Sequence, residues 1–255
     1  MPDNAPISDS ENALAVKQHG VPSLARKSLW QRIQEGIEEA RRRTLGALLD
    51  LMAQRKARRD EVAFSIALIA LSAKMAKADG IVTQDEISAF RDFFNYPPEQ
   101  ESKVRMLYDL AMQDVAGYEF YLKKVATIYD GDCAVLEDVL DCLFYVANAD
   151  GIVHPKEIEF LDTAAKIFDM KPIAYRRLKA LHFGQGDSDP YLILGIATDI
   201  DDAALKIAFR KLVKENHPDL MVARGVPIDL IKIAESRMAS INSAYETVIK
   251  ERRDP

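Results

Sequence analysis

Apolar residues recur at helical spacing along most of this chain. From about residue 57 to 183 they follow a three-to-four-residue period, β-branched alternation is absent, and turn residues fall at helix-length intervals. Further on, Leu205, Ala208, Phe209, Leu212 and Val213 form one stripe. Leu230, Ala234, Met238, Ile241, Tyr245 and Val248 form another. Two such stripes joined by about a dozen residues containing Gly225 and Pro227 predict an antiparallel helical hairpin closed over those faces. Asp189 and Pro190 open a short apolar helix before it, and Asp199 or Asp201 caps or charges the start of the first long one.

Residues 1–27, rich in Pro, Asn, Asp and Ser and without an apolar period, predict a disordered lead. Over 28–56, Leu29, Ile33, Ile37, Leu45, Leu48, Leu49 and Met52 make an irregular amphipathic stripe interrupted by Arg41, Arg42 and Arg43. That stripe fits a helix packed on a core with its charges in water. A basic amphipathic helix also suits peripheral contact with an anionic membrane. The sequence therefore divides into the lead, the amphipathic segment 28–56, a helical unit 57–183, a Gly-Gln-Gly-Asp-Ser linker at 184–188, and a C-terminal helical unit 189–255. The fold class is all-α.

Within the helical unit one string occurs twice. Ala78-Asp79-Gly80-Ile81-Val82 precedes Glu86-Ile87, and Ala149-Asp150-Gly151-Ile152-Val153 precedes Glu157-Ile158. Two related helix-turn-helix units account for it. Asp-Gly ends the first helix, because glycine tolerates the left-handed backbone found past a helix C-terminus. Ile and Val are expected to anchor the turn in the core. Thr83 with Glu86 fits a capping box, and Pro155 sits at a first helical position. An acidic residue, a glycine and a later glutamate also resemble half of a calcium loop. The positions that would supply its first two ligands hold Met75 and Lys77 in one copy, Val146 and Asn148 in the other, so no hard-cation ligand set is expected.

Charge and composition narrow the classes. The 255 residues carry a formal net charge of -6, which argues against general nucleic-acid binding. Two cysteines, Cys133 and Cys142, exclude a disulfide scaffold and a four-cysteine zinc site and suit a reducing compartment. The longest apolar run, Val62 to Ala76, is broken by Ser65, Ser72 and Lys74 and is too short to span a bilayer. The first twenty residues contain no signal-peptide core. These features predict a soluble, cytoplasmic protein, membrane-associated at most through 28–56. No cofactor motif is present, and neither a cofactor nor a metal is expected.

The chemistry concentrates at His217-Pro218-Asp219. Proline cannot continue the helical ladder and drives the residue before it out of the α region. His217 and Asp219 are therefore expected on a stiff loop at the end of a basic helix whose Lys206, Arg210, Lys211 and Lys214 face solvent. A bare helix stop explains the proline, but not its place between a basic helix and a matching partner helix. A hydrolytic His-Asp pair is disfavoured, since the two flank one proline and no nucleophile motif accompanies them.

Two resemblances follow from these residues. The doubled Ala-Asp-Gly-Ile-Val turn resembles the TerB-type domain over residues 57–183; that resemblance implies a scaffold or sensor. Tyr191-Leu192-Ile193-Leu194-Gly195-Ile196, Phe209-Arg210-Lys211-Leu212, His217-Pro218-Asp219 and Ile241-Asn242-Ser243-Ala244-Tyr245-Glu246 closely resemble the J-domain of DnaJ-type co-chaperones over residues 189 to about 252. With the extended loop Leu220 to Pro227, the order of the two is most similar to the DjlA subgroup, whose namesake has an N-terminal membrane anchor; no spanning segment is visible here. The resemblance implies no enzyme. It implies a protein that binds a DnaK-type chaperone and stimulates its ATP hydrolysis. Lys206, Arg210, Lys211 and Lys214 would steer onto an acidic surface, His217 and Asp219 would make the decisive contacts, and Pro218 would hold their shape. The TerB-like half would target or regulate that activity through a protein partner of its own. Departures from the pattern are Glu215, where many J-domains carry a basic residue, and the lack of a fourth helix, a Gly/Phe-rich segment and a cysteine-rich module. They leave one alternative: a TerB-type scaffold or metal-stress sensor with a vestigial J-domain.

Overall fold

The computed structural model describes residues 28–42, 44–54, 60–79, 98, 101–113, 117–148, 151–184 and 189–253. The lead 1–27, most of the first repeat copy and linker residues 185–188 lie outside them. Helices α1 (Leu29–Arg42), α2 (Leu45–Gln54), α3 (Glu61–Asp79), α4 (Glu101–Gln113), α5 (Tyr118–Tyr129), α6 (Cys133–Ala147), α7 (Pro155–Ile167) and α8 (Pro172–Phe183) come first. Then follow α9 (Pro190–Leu194), α10 (Asp202–Glu215), α11 (Pro218–Ala223), a 3-10 turn (Ile228–Leu230) and α12 (Ile231–Arg253). No strand occurs among the described residues.

The apolar run that is too short for a membrane is the hub of the first unit. Every residue of α3 from Val62 to Ala76 is buried, as expected of a helix apolar on all sides. It packs on α1, α4, α5, α6 and α7. The polar interruptions are accommodated inside. Ser65 donates to the Glu61 carbonyl at 2.7 Å, and the Lys74 ammonium lies 4.6 Å from the centre of the Tyr121 ring, a cation–π contact. Ile33, Leu45, Leu48 and Leu49 join the same core. The described part of the stripe over 28–56 is thus two helices used for packing, one ending at Arg42 and the next starting at Leu45.

The second repeat copy closes as a capped turn, with one correction. Gly151 is left-handed at φ 77°, and Pro155 opens α7 behind His154. His154 accepts the Lys156 amide at 3.3 Å, while Glu157 accepts the His154 amide at 2.9 Å. The capping role expected at Thr83 and Glu86, which lie outside the described residues, is thus filled in this copy by His154 and Glu157. Ile152, expected to anchor the turn in the core, is instead 76% exposed and Val153 only half-buried. The reciprocal cap and the buried Glu157 hold this turn, so it needs no apolar anchor.

Two cores organise the described residues. The smaller one gathers Ile193, Leu194, Leu205, Leu212, Ile241, Ala244 and Val248, from α9, α10 and α12. Phe209 and Tyr245 stack beside it with ring centres 4.0 Å apart, and Arg252 ties the far end, reaching Asp202 and the Ile200 carbonyl, each at 2.7 Å. The larger core is that of α1–α8, and it also takes in Met221, Val226, Leu230, Ile233 and Ala234. The expected hairpin therefore closes only along the later turns of α12. Leu230 and Ala234, assigned by periodicity to the hairpin face, turn toward the first unit.

Candidate functional site

Helix α10 starts on Asp201, whose carboxylate accepts the amides of Ala203 and Ala204 at 2.8 and 2.9 Å, a strong N-cap. It stops before the proline. Buried Asn216 folds its side-chain amide back to the Leu212 carbonyl at 2.7 Å, terminating the ladder two residues ahead of Pro218. His217 follows in extended backbone, φ -64° and ψ 134°, as a residue before proline must.

The chain does not then enter a loop. Pro218 is the first residue of α11, and the Nδ1 atom of His217 accepts the Asp219 amide at 3.2 Å. The expected stiff loop is thus the capped start of a short helix, because proline at a first helical position has no amide to leave unsatisfied and its φ is already helical. His217 and Asp219 face solvent, their side chains 53% and 90% exposed, with Nδ1 and Oδ2 3.6 Å apart. One turn on, Met221 is fully buried in the large core. Helix α11 therefore has an anchored side and a displayed end.

Lys206, Arg210, Lys211 and Lys214 are all exposed along α10, leading up to the His-Pro-Asp turn. Glu215 is exposed as well and lies 3.8 Å from Lys211. A surface pair at that distance is weak, so the face remains cationic.

The comparisons with known proteins bear on this arrangement. The family described as tellurite resistance protein TerB matches residues 65–180, and the DnaJ domain matches residues 189–254. The chain is DjlA-like: a TerB domain followed by a C-terminal J-domain. It is 28% identical over 222 residues to the co-chaperone protein DjlA of Aliivibrio fischeri, covering 74% of this chain and 78% of that protein. To the DjlA of Vibrio vulnificus it is 29% identical over 232 residues, covering 77% and 80%. To that of Salmonella typhimurium it is 25% identical over 204 residues, covering 70% and 75%. No solved structure matches.

Between the TerB domain and the J-domain lies a cluster that sequence reading missed. Asp138 and Asp141, one turn apart on α6, are buried. Arg237 of α12 reaches Asp138 at 3.1 Å and Asp141 at 3.2 Å. Arg224, which follows α11, brings Nε to 2.7 Å from Asp138, a charge contact off the hydrogen-bonding axis, and donates through Nη2 at 3.2 Å. His182 of α8 lies 2.6 Å from the other Asp141 oxygen. Arg177 donates to Glu137 at 2.5 Å alongside. Burial pushes the Asp138 carboxyl up to about 6 against the pull of Arg237 and Arg224. Burial also works against Asp141, but Arg237 and the His182 hydrogen bond outweigh it and hold that carboxyl below the usual range. The available signal was three acids, Glu137, Asp138 and Asp141, inside the mostly apolar Cys133–Ala147, with an arginine on the inner side of the last helix.

Among the described residues no group of three or more His, Cys, Asp or Glu side chains is placed to hold a metal ion, and no helix is long and apolar enough to cross a membrane. Asp79 and Glu86, half of the calcium-loop likeness, have side chains outside the described set. In the other copy Glu157 is engaged as a cap.

Proposed function

We propose that this chain docks on a DnaK-type chaperone through the exposed face of its J-domain and stimulates ATP hydrolysis through His217 and Asp219. The observation that carries the reading is the His-Pro-Asp turn: two exposed polar side chains at the capped start of α11, continuous with the basic face of α10. Lys206, Arg210, Lys211 and Lys214 supply long-range attraction to an acidic surface, which acts mainly on association rate and orientation. His217 and Asp219 act at short range by binding one chaperone conformation better than another, the requirement for any population shift. Pro218 keeps the turn rigid. The TerB domain is the targeting or regulatory module, recognising a protein partner of its own. The similarity to DjlA co-chaperones along both domains supports this reading over a scaffold with a vestigial J-domain. Single-turnover ATP hydrolysis by a DnaK-type chaperone, with and without the full chain, tests it.

A further inference from the structure

The J-domain is joined to the TerB domain by more than the linker. Five apolar residues, Met221 of α11, Val226 of the loop after it, Leu230 of the 3-10 turn and Ile233 and Ala234 at the start of α12, complete the TerB-side core. Around them sit four buried or half-buried charges from both domains: Asp138 and Asp141 on one side, Arg224 and Arg237 on the other. Their contacts span 86 to 99 positions of sequence. Arg237 also donates to the Met221 sulfur at 3.2 Å, so the same guanidinium grips the acidic pair and the inner residue of α11. Met221 lies one turn beyond His217.

The consequence is directional. Apolar contact alone lets a six-residue helix roll on its seat, because burial is non-directional. A guanidinium shared between two carboxylates allows few orientations. Docking leaves the displayed end open: His217, Asp219 and all four basic residues of α10 are exposed while Met221, Arg237 and the two aspartates are buried. The contact thus supports the turn without covering it.

We infer that Arg224 and Arg237 are positioning residues: seated on Asp138 and Asp141, they fix the His217–Asp219 turn relative to the TerB domain, so that the J-domain works as a rigid extension of the TerB domain. This rests on the J-domain activity proposed above. Arg237 is buried and Arg224 half-buried against the TerB domain, whereas the basic face of α10 is exposed. The two arginines set how well the turn is presented once docked, and leave the encounter to α10.

The test uses the full chain with Arg237→Leu, Arg224→Ala and the conservative Arg237→Lys. Two quantities are read. Hydrogen exchange follows the amides of α11 and residues 228–234, and single-turnover ATP hydrolysis by a DnaK-type chaperone is titrated to saturation. Arg237→Leu is expected to speed exchange in those segments while α3 and α10 stay protected. The maximal stimulated rate falls about fivefold or more, the scale of ordinary coupling between sites. The concentration giving half-maximal stimulation moves by less than about twofold, because the encounter surface is intact. Arg224→Ala shifts both readouts the same way but less, and Arg237→Lys recovers part of the rate. An unchanged maximal rate despite faster exchange in α11 overturns the inference, as does unchanged exchange in Arg237→Leu. A wild-type chain that gives no stimulation at all overturns the J-domain reading instead, and the exchange data still judge the contact.

Discussion

His154 and His217 cap their helices in the same way. Each stands before a proline in first helical position, and each accepts, through Nδ1, the amide two residues on, at 3.3 and 3.2 Å. One belongs to the TerB repeat and the other to the J-domain. Capping therefore does not distinguish the His-Pro-Asp turn from an ordinary helix start. What distinguishes it is its setting, beside a cationic helix with an exposed aspartate. Asparagine is a good N-cap, so His217→Asn separates the two roles. The variant is expected to unfold in urea within about 0.5 kcal/mol of wild type, as surface changes commonly do, and to lose stimulation of the chaperone. His154→Ala is expected to cost about 1 kcal/mol through the lost cap and to stimulate normally.

The basic face makes a prediction about salt. Lys206→Gln with Arg210→Gln raises the concentration needed for half-maximal stimulation and flattens its dependence on ionic strength. Exposed charges act through a field screened within about 10 Å at 0.1 M salt. The maximal rate at saturation changes little. A loss confined to the maximal rate contradicts a steering role.

Asp138 makes a prediction about pH. Its folded-state value is raised to about 6 from 3.8. A carboxyl raised on folding contributes stability that is fully present below its unfolded value and is lost as pH rises through about 6. Asp141 has the opposite sign: its value is lowered, so its contribution is present above the unfolded value and lost as pH falls through the folded one. Of the two, Asp138 titrates between pH 7 and 5. Its proton uptake adds on the order of 1 kcal/mol to the unfolding free energy over that interval. Urea melts of wild type and Asp138→Asn at both pH values check this; the gain is expected in wild type and absent in the variant.

The corrected turn makes a prediction about stability. Ile152→Ser, at a position 76% exposed, is expected to change the unfolding free energy by less than about 0.5 kcal/mol. Leu68→Ala, at a fully buried position on α3, is expected to cost about 2–5 kcal/mol. Comparable losses at the two positions contradict the orientation of the repeat turn.

The helices and the exposure of His217 and Asp219 were legible because each leaves a local trace, although the helix start at Pro218 was read as a loop. Leu205, Leu212, Ile241 and Val248 repeat at helical spacing, Asp201 precedes its helix as a cap, and Pro218 forces His217 into extended backbone. The junction was not legible, for a physical reason. Leu230 and Ala234 continue the hairpin stripe in register, and periodicity tells which side of a helix is buried but not by what. Arg237 falls on that inner side, where arginine is usually read as solvated, and its partners lie about 100 positions earlier. The two aspartates look like a charged helix face, yet both are buried. Asn216 hid in the same way: the proline after it drew the credit for ending α10.

The central claim is that the exposed His217–Asp219 turn drives a DnaK-type chaperone toward hydrolysis. Single-turnover ATP hydrolysis by such a chaperone, with wild type and with the cap-preserving His217→Asn variant, tests it most directly. The account predicts acceleration that saturates with wild type and is absent with the folded variant. No acceleration by folded wild type, or equal acceleration by the variant, contradicts it.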